Sequence, residues 1–273
     1  GSILRIEPLS AIKGEYQLQN YDEVRSTFEW EKTEQAFSWH KTGKVNMAYE
    51  AVDRHAESER KDKVALYFEN ETRKESYTFA DVKEWTNKAA NVFQQTGLKK
   101  GDRLFIFMPR SPELYFSIIG GLKKGLIIGP LFEAFMEGAV YDRLSDSEAK
   151  ETEQLKDFHK LLLQVSNDTD MVWVDREDGM VLHYTSGSTG KPKGVLHVHN
   201  AMLQQYQTSK WVLDLRDDDI LWCTADPGWV TGTAYGIFGP WLTGTTVVVI
   251  GGRFSPQSWY QALQDYGVTV WYS

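Results

Sequence analysis

Cysteine is almost missing from this 273-residue sequence, where Cys223 stands alone. One thiol excludes an intramolecular disulfide and any cysteine metal cluster. It lies in the apolar run Ile220-Leu221-Trp222-Cys223, so a buried bystander is expected. The scarcity fits a reducing, cytoplasmic setting. Basic charge is also short: 30 Lys and Arg against 38 Asp and Glu leave a formal net charge of −8. A nucleic-acid surface would want a basic face. Long hydrophobic runs are lacking too, since the most apolar region, 114–132, is broken by Lys123-Lys124 and by glycines. It is too short and too interrupted to span a bilayer. No basic-then-apolar leader follows Gly1-Ser2, so no targeting segment is expected there.

What the chain does have is Tyr184-Thr185-Ser186-Gly187-Ser188-Thr189-Gly190-Lys191-Pro192-Lys193-Gly194-Val195. Apolar runs at 180–183 and 195–198 flank it and read as strands, so this is a strand–loop–strand turn. Its hydroxyls, glycines and lysines suit a polyphosphate. Glycine lets backbone N–H groups approach anionic oxygens, Ser and Thr add neutral donors, and Lys adds charge. It is not a Walker loop, because Pro192 follows Lys191 and the downstream run is β-like. No helix dipole stands behind the phosphates, so side chains and loop amides must replace it. Composition alone also suits a flexible Gly/Ser surface loop.

Several helices mark their own ends. Thr78-Phe79-Ala80-Asp81 forms a capping box, opening a helix with Val82, Trp85, Ala89, Val92 and Phe93 on one stripe and a stop at Gly97. Ser111-Pro112 opens a second helix ending at Gly125, and Ser255-Pro256 a third ending near Gly267. Apolar runs at 64–68, 103–108, 126–129, 245–250 and 268–272 alternate with them. That order predicts an α/β fold with helices packed on parallel-rich sheets. The polar stretch 142–168 is the expected boundary between an N-terminal subdomain, 1–150, and a second one, 151–273.

The turn and three further stretches resemble the adenylate-forming enzymes, which include acyl-CoA synthetases, luciferases and peptide-synthetase adenylation domains. The stretches are Val45-Asn46-Met47-Ala48-Tyr49 with Asp53-Arg54-His55, then Phe107-Met108-Pro109-Arg110-Ser111-Pro112-Glu113, then Ala225-Asp226-Pro227-Gly228-Trp229-Val230-Thr231-Gly232. The three stretches are similar to the short-chain acyl-CoA synthetase branch, and most of all to AMP-forming acetyl-CoA synthetases. The resemblance implies the N-terminal part of that fold, truncated. The last strand-like run breaks off at Ser273, so the second subdomain is expected to be incomplete at that end. In the family, a buried strand and tens of residues follow the equivalent of Ser147-Glu148-Ala149-Lys150, whereas here Glu151-Thr152-Glu153 follows at once. Either a segment was deleted or residues are absent from the sequence. The second is expected, because losing an interior strand leaves unpaired backbone in the core.

The resemblance also implies site roles. Thr185, Ser186, Ser188, Thr189, Lys191 and Lys193 would hold ATP phosphates, with Gly187, Gly190 and Gly194 allowing close approach and Lys191 also free to point to solvent. Trp229, Val230 and Thr231 would wall a pocket for a short acyl group, where β-branched side chains have few rotamers to lose. Asp226 is equally suited to an Asx cap of its turn. Phe132 and Arg143 would border coenzyme A. No catalytic side chain is assigned, since the substrate carboxylate is itself the nucleophile. The implied reaction joins a short-chain carboxylate to ATP with Mg²⁺, then to coenzyme A.

The remaining polar features read blandly. His197 and His199 would share a strand face, with His199 placed to border the nucleotide and His197 structural, but no third metal ligand stands at suitable spacing. His183 reads as a structural histidine, and Asp217-Asp218-Asp219 as a solvated turn. A non-catalytic phosphate-binding module is the alternative function. A kinase-like site is not supported, since Asp53-Arg54-His55 runs opposite to the kinase triplet.

Overall fold

The computed structural model describes residues 15–147, 157–185 and 192–273. Two sheets organise it. The first has strand order β2-β1-β8-β7-β9, from β1 (Val64–Glu69), β2 (Lys74–Thr78), β7 (Ile220–Cys223), β8 (Thr246–Ile250) and β9 (Val270–Tyr272). Only the β1–β2 hairpin is antiparallel in it; β1–β8, β8–β7 and β7–β9 are parallel. The second has order β3-β4-β5-β6, from β3 (Arg103–Ile106), β4 (Ile127–Pro130), β5 (Gly179–Thr185) and β6 (Lys193–Val198). There β5 and β6 are antiparallel, and the other two pairs are parallel. The expected helix-covered, parallel-rich α/β architecture is what forms. Each sheet takes strands from both sides of residue 150.

Local signals explain the helices. In α1 (Phe79–Gln95) the capping box is made: Thr78 Oγ1 accepts from Asp81 N at 3.1 Å, and Thr78 N donates to Asp81 Oδ2 at 2.8 Å. Its stripe of Val82, Ala89, Val92 and Phe93 is buried. α2 (Pro112–Lys123) lies close against it; a Cβ on Gly120 would come within 2.6 Å of Ala89 Cβ. Beneath this crossing sits a buried ion pair. Lys123 Nζ is 2.7 Å from Asp53 Oδ1 and donates to Asn87 Oδ1 at 2.7 Å. Burial pulls the ammonium pKa down and the carboxyl pKa up, while their attraction works against both shifts. His55, two residues on, is pushed down to about 3 by burial and meets Trp241 O at 2.8 Å, so it stays neutral.

Candidate active site

The β5–β6 hairpin brings the phosphate signature to a sheet edge. Its register pairs Thr185 with Lys193 and Tyr184 with Gly194, so both strands end at the turn. Thr185 and Lys193 are exposed at that tip, as anion contact requires, and so is Gly194. Ser186, Gly187, Ser188, Thr189, Gly190 and Lys191 lie outside the described residues. One further ring closes the hairpin base: Tyr184 Oη donates to Asp146 Oδ2 at 2.8 Å, and burial leads the shift of its phenol up to about 12.

The turn predicted to wall the acyl pocket follows β7. Asp226 caps it as an Asx residue, accepting from Gly228 N at 2.7 Å, and its other oxygen lies 3.6 Å from Arg110. Burial raises the Asp226 pKa, against the pull of that amide and of Arg110. Trp229 and Val230 emerge exposed, and a short helix, Val230–Thr233, begins there. Backbone packs on backbone here. A Cβ on Gly232 would sit 2.1 Å from Asp226 O, and one on Gly228 would sit 2.4 Å from Phe132 N. Only glycine fits at either place, so the turn has little freedom to shift. Behind Thr231 lies the lone thiol: Cys223 is buried, its Sγ 4.0 Å from Thr231 O, with burial raising its pKa.

The predicted coenzyme A residues join this turn. Phe132, Phe135 and Trp229 form a ring cluster with centroids 5.7 to 6.3 Å apart. Arg143 packs its guanidinium 4.1 Å from the Phe135 ring centroid and 5.7 Å from that of Tyr184. It is buried rather than surface-exposed, and donates to Ala139 O on its own helix at 2.6 Å. The cluster therefore runs from Trp229 through Phe135 and Arg143 to Tyr184 at the hairpin. A cleft of about 570 Å³ beside it is lined in part by Tyr184, Gly194 and Asp146.

Two histidines differ from expectation. The strand carrying His197 ends at Val198, and His199 opens a short 3₁₀ turn, so they do not share a strand face. His199 is fully buried and accepts from Met47 N at 3.0 Å; burial lowers its pKa to about 4. His183 instead faces the acyl turn, with Nε2 2.8 Å from Thr233 Oγ1. Burial drives its pKa to about 4, with the neighbouring His197 acting in the same direction. Nothing in the sequence spacing links residue 183 to residue 233. Among the described residues no group of three or more His, Cys, Asp or Glu could hold a metal ion. The acidic run is committed elsewhere: Asp217 pairs with Arg60 at 2.7 Å, and Asp219 accepts from Arg216 N at 2.7 Å.

The hairpin that carries the predicted phosphate signature thus stands beside a rigid, aromatic-walled turn. The profile described as "AMP-binding enzyme" matches residues 52–273. The chain belongs to that family. Relatives of this AMP-binding chain include the acetyl-coenzyme A synthetase of Bacillus subtilis, 55% identical over 302 aligned positions that take in 99% of this chain and 53% of the relative. The enzyme of the same name from Methanothrix thermoacetophila is 32% identical, over 86% of this chain and 44% of the relative. The crystal structure of a Brucella canis acyl-CoA synthetase superposes with a TM-score of 0.85 at 27% identity, covering 92% of this chain and 51% of that one. The chain thus spans about half the length of the relatives it matches. Aligned positions outnumber the 273 residues, so the Bacillus relative carries residues that this sequence lacks.

Proposed function

We propose that this chain supplies the phosphate hairpin and acyl wall of an enzyme that activates a short-chain carboxylate, with acetate the first choice and propionate the second. A carboxylate oxygen attacks the α-phosphorus of ATP, forming acyl-AMP and expelling pyrophosphate. The thiolate of coenzyme A then attacks the acyl carbon and expels AMP. Neither step asks the chain for a nucleophile, so its contribution is positioning and charge stabilisation. Lys193, Thr185 and the 186–191 loop grip the β- and γ-phosphates, and Trp229, Val230 and Thr231 limit the acyl group. Phe132 and Arg143 line the approach of coenzyme A. Mg²⁺ accompanies the triphosphate, and the described residues offer it no ligand set. The described residues include no helix long and apolar enough to cross a membrane, and we place the protein in the cytoplasm.

The observation carrying this reading is the direct contact between the two subsites: His183 on the phosphate strand touches Thr233 on the acyl helix at 2.8 Å. The test is acetate-dependent exchange of label between pyrophosphate and ATP in the whole protein. Exchange there, and little by residues 1–273 alone, is the expected result. Its absence in the whole protein, alongside retained ATP binding, would leave only a phosphate-binding module.

A further inference from the structure

We propose that His183 is a positioning residue which fastens the acyl wall to the phosphate hairpin through Thr233 and so fixes where the carboxylate stands against the α-phosphate, a role that rests on the function proposed above. His183 sits on β5 two residues before Thr185, so its backbone moves with the hairpin tip. Its side chain is 4% exposed and points away from solvent into the acyl helix.

Counting protons gives the bond a direction. Thr233 Oγ1 lies 2.8 Å from His183 Nε2 and 3.1 Å from Val230 O. A hydroxyl has one proton to give, and the Val230 carbonyl can only accept. Both contacts are satisfied together only if Nε2 carries the imidazole proton and donates to Oγ1, while Oγ1–H donates to Val230 O. The result is a two-bond relay from the phosphate strand to the backbone of an acyl-wall residue. The other tautomer, with its proton on Nδ1, breaks the Val230 bond, because Oγ1 would then have to give its one proton to Nε2.

The surroundings make the relay matter. Gly228 and Gly232 leave the turn no slack on its Phe132 and Asp226 sides, so its remaining anchor is on the hairpin side. Burial keeps the ring neutral at ordinary pH, so the relay does not compete with proton uptake from solvent. An apolar side chain would fill this site without burying polar nitrogens, and a purely packing role therefore does not account for an imidazole.

Two measurements decide it. In the chain itself, long-range nitrogen–proton correlation spectra should show His183 as the Nε2–H tautomer, and the Nδ1–H tautomer would overturn the relay. In the whole protein, Thr233→Val should raise KM for acetate about five- to tenfold, the loss of one buried hydrogen bond, with KM for ATP within about twofold. Thr233→Ser keeps the hydroxyl and should restore the acetate value, and adding His183→Leu to Thr233→Val should cost nothing more. Equal shifts in both KM values, or a Ser variant no better than Val, would overturn the proposal. Thr233→Val keeps the side-chain shape, and a single cooperative unfolding transition, even with a lowered midpoint, shows that the fold is kept. If the unaltered protein shows no acetate-dependent exchange, the functional reading falls while the imidazole spectrum still settles the relay.

Discussion

Lys123→Met and Asp53→Asn should each destabilise the chain, with opposite pH slopes. Both groups are buried, and the Nζ–Oδ1 distance is 2.7 Å. Removing one partner of such a pair costs about 3–5 kcal/mol, because the other is left as an unpaired buried charge. That is a large share of the roughly 5–15 kcal/mol that holds a domain folded. The sign follows from proton binding. Without Lys123, the folded carboxyl, already raised by burial, rises further and holds its proton where the unfolded chain has lost it. Stability then falls as pH rises above the ordinary carboxyl range. Without Asp53, the folded ammonium, already lowered by burial, releases its proton more easily than the unfolded one. Stability then climbs as pH approaches the ordinary lysine range. Urea unfolding followed by the fluorescence of the 10 tryptophans, at several pH values, reads both slopes. The double replacement Asp53→Leu with Lys123→Met should recover most of the loss. Losses under about 1 kcal/mol for both single variants, or slopes of the same sign, would show that the pair is solvated rather than buried.

Gly232→Ala should cost about 1–3 kcal/mol in urea unfolding, since the new methyl meets the Asp226 backbone rather than a side chain able to rotate. Lys193→Gln should lower pyrophosphate exchange by the whole protein about tenfold or more through a raised KM for ATP, the loss of one charge-assisted contact; an unchanged KM would remove Lys193 from the phosphate site. Acid should weaken the fold through His55, His183 and His199, whose folded pKa values lie near 3, 4 and 4 against 6.5 ordinarily. The unfolded chain takes up protons first, so stability falls as pH drops from about 6.5 towards 4, by up to about 3 kcal/mol per histidine. A urea midpoint that holds steady over that range would show that the rings are not buried.

Features fixed by neighbouring residues were readable from the chain. The Thr78–Asp81 capping box and the Gly125 stop act within one or two helical turns, and both are present. So is the Asx cap of Asp226, which needs only the two residues after it. Pairings across the chain were not readable. β1 lies beside β8, far along the sequence, because the buried faces of both strands match, and no local spacing announces that. The same holds at the site. His183 read as an ordinary structural histidine because Thr233, its partner, is 50 positions away. For Arg143 the resemblance implies only a border of coenzyme A, whereas its burial depends on Phe135 and Tyr184 closing over it. The shared face expected for His197 and His199 assumed a strand one residue longer than the one that forms.

With a single cysteine, placed directly behind Thr231, the chain carries its own reporter. A thiol-reactive dye can reach Cys223 only while the segment in front of it swings aside, so the labelling rate clocks that opening. Ligands that seat against Trp229 should slow the clock, and no residue need be replaced to read it.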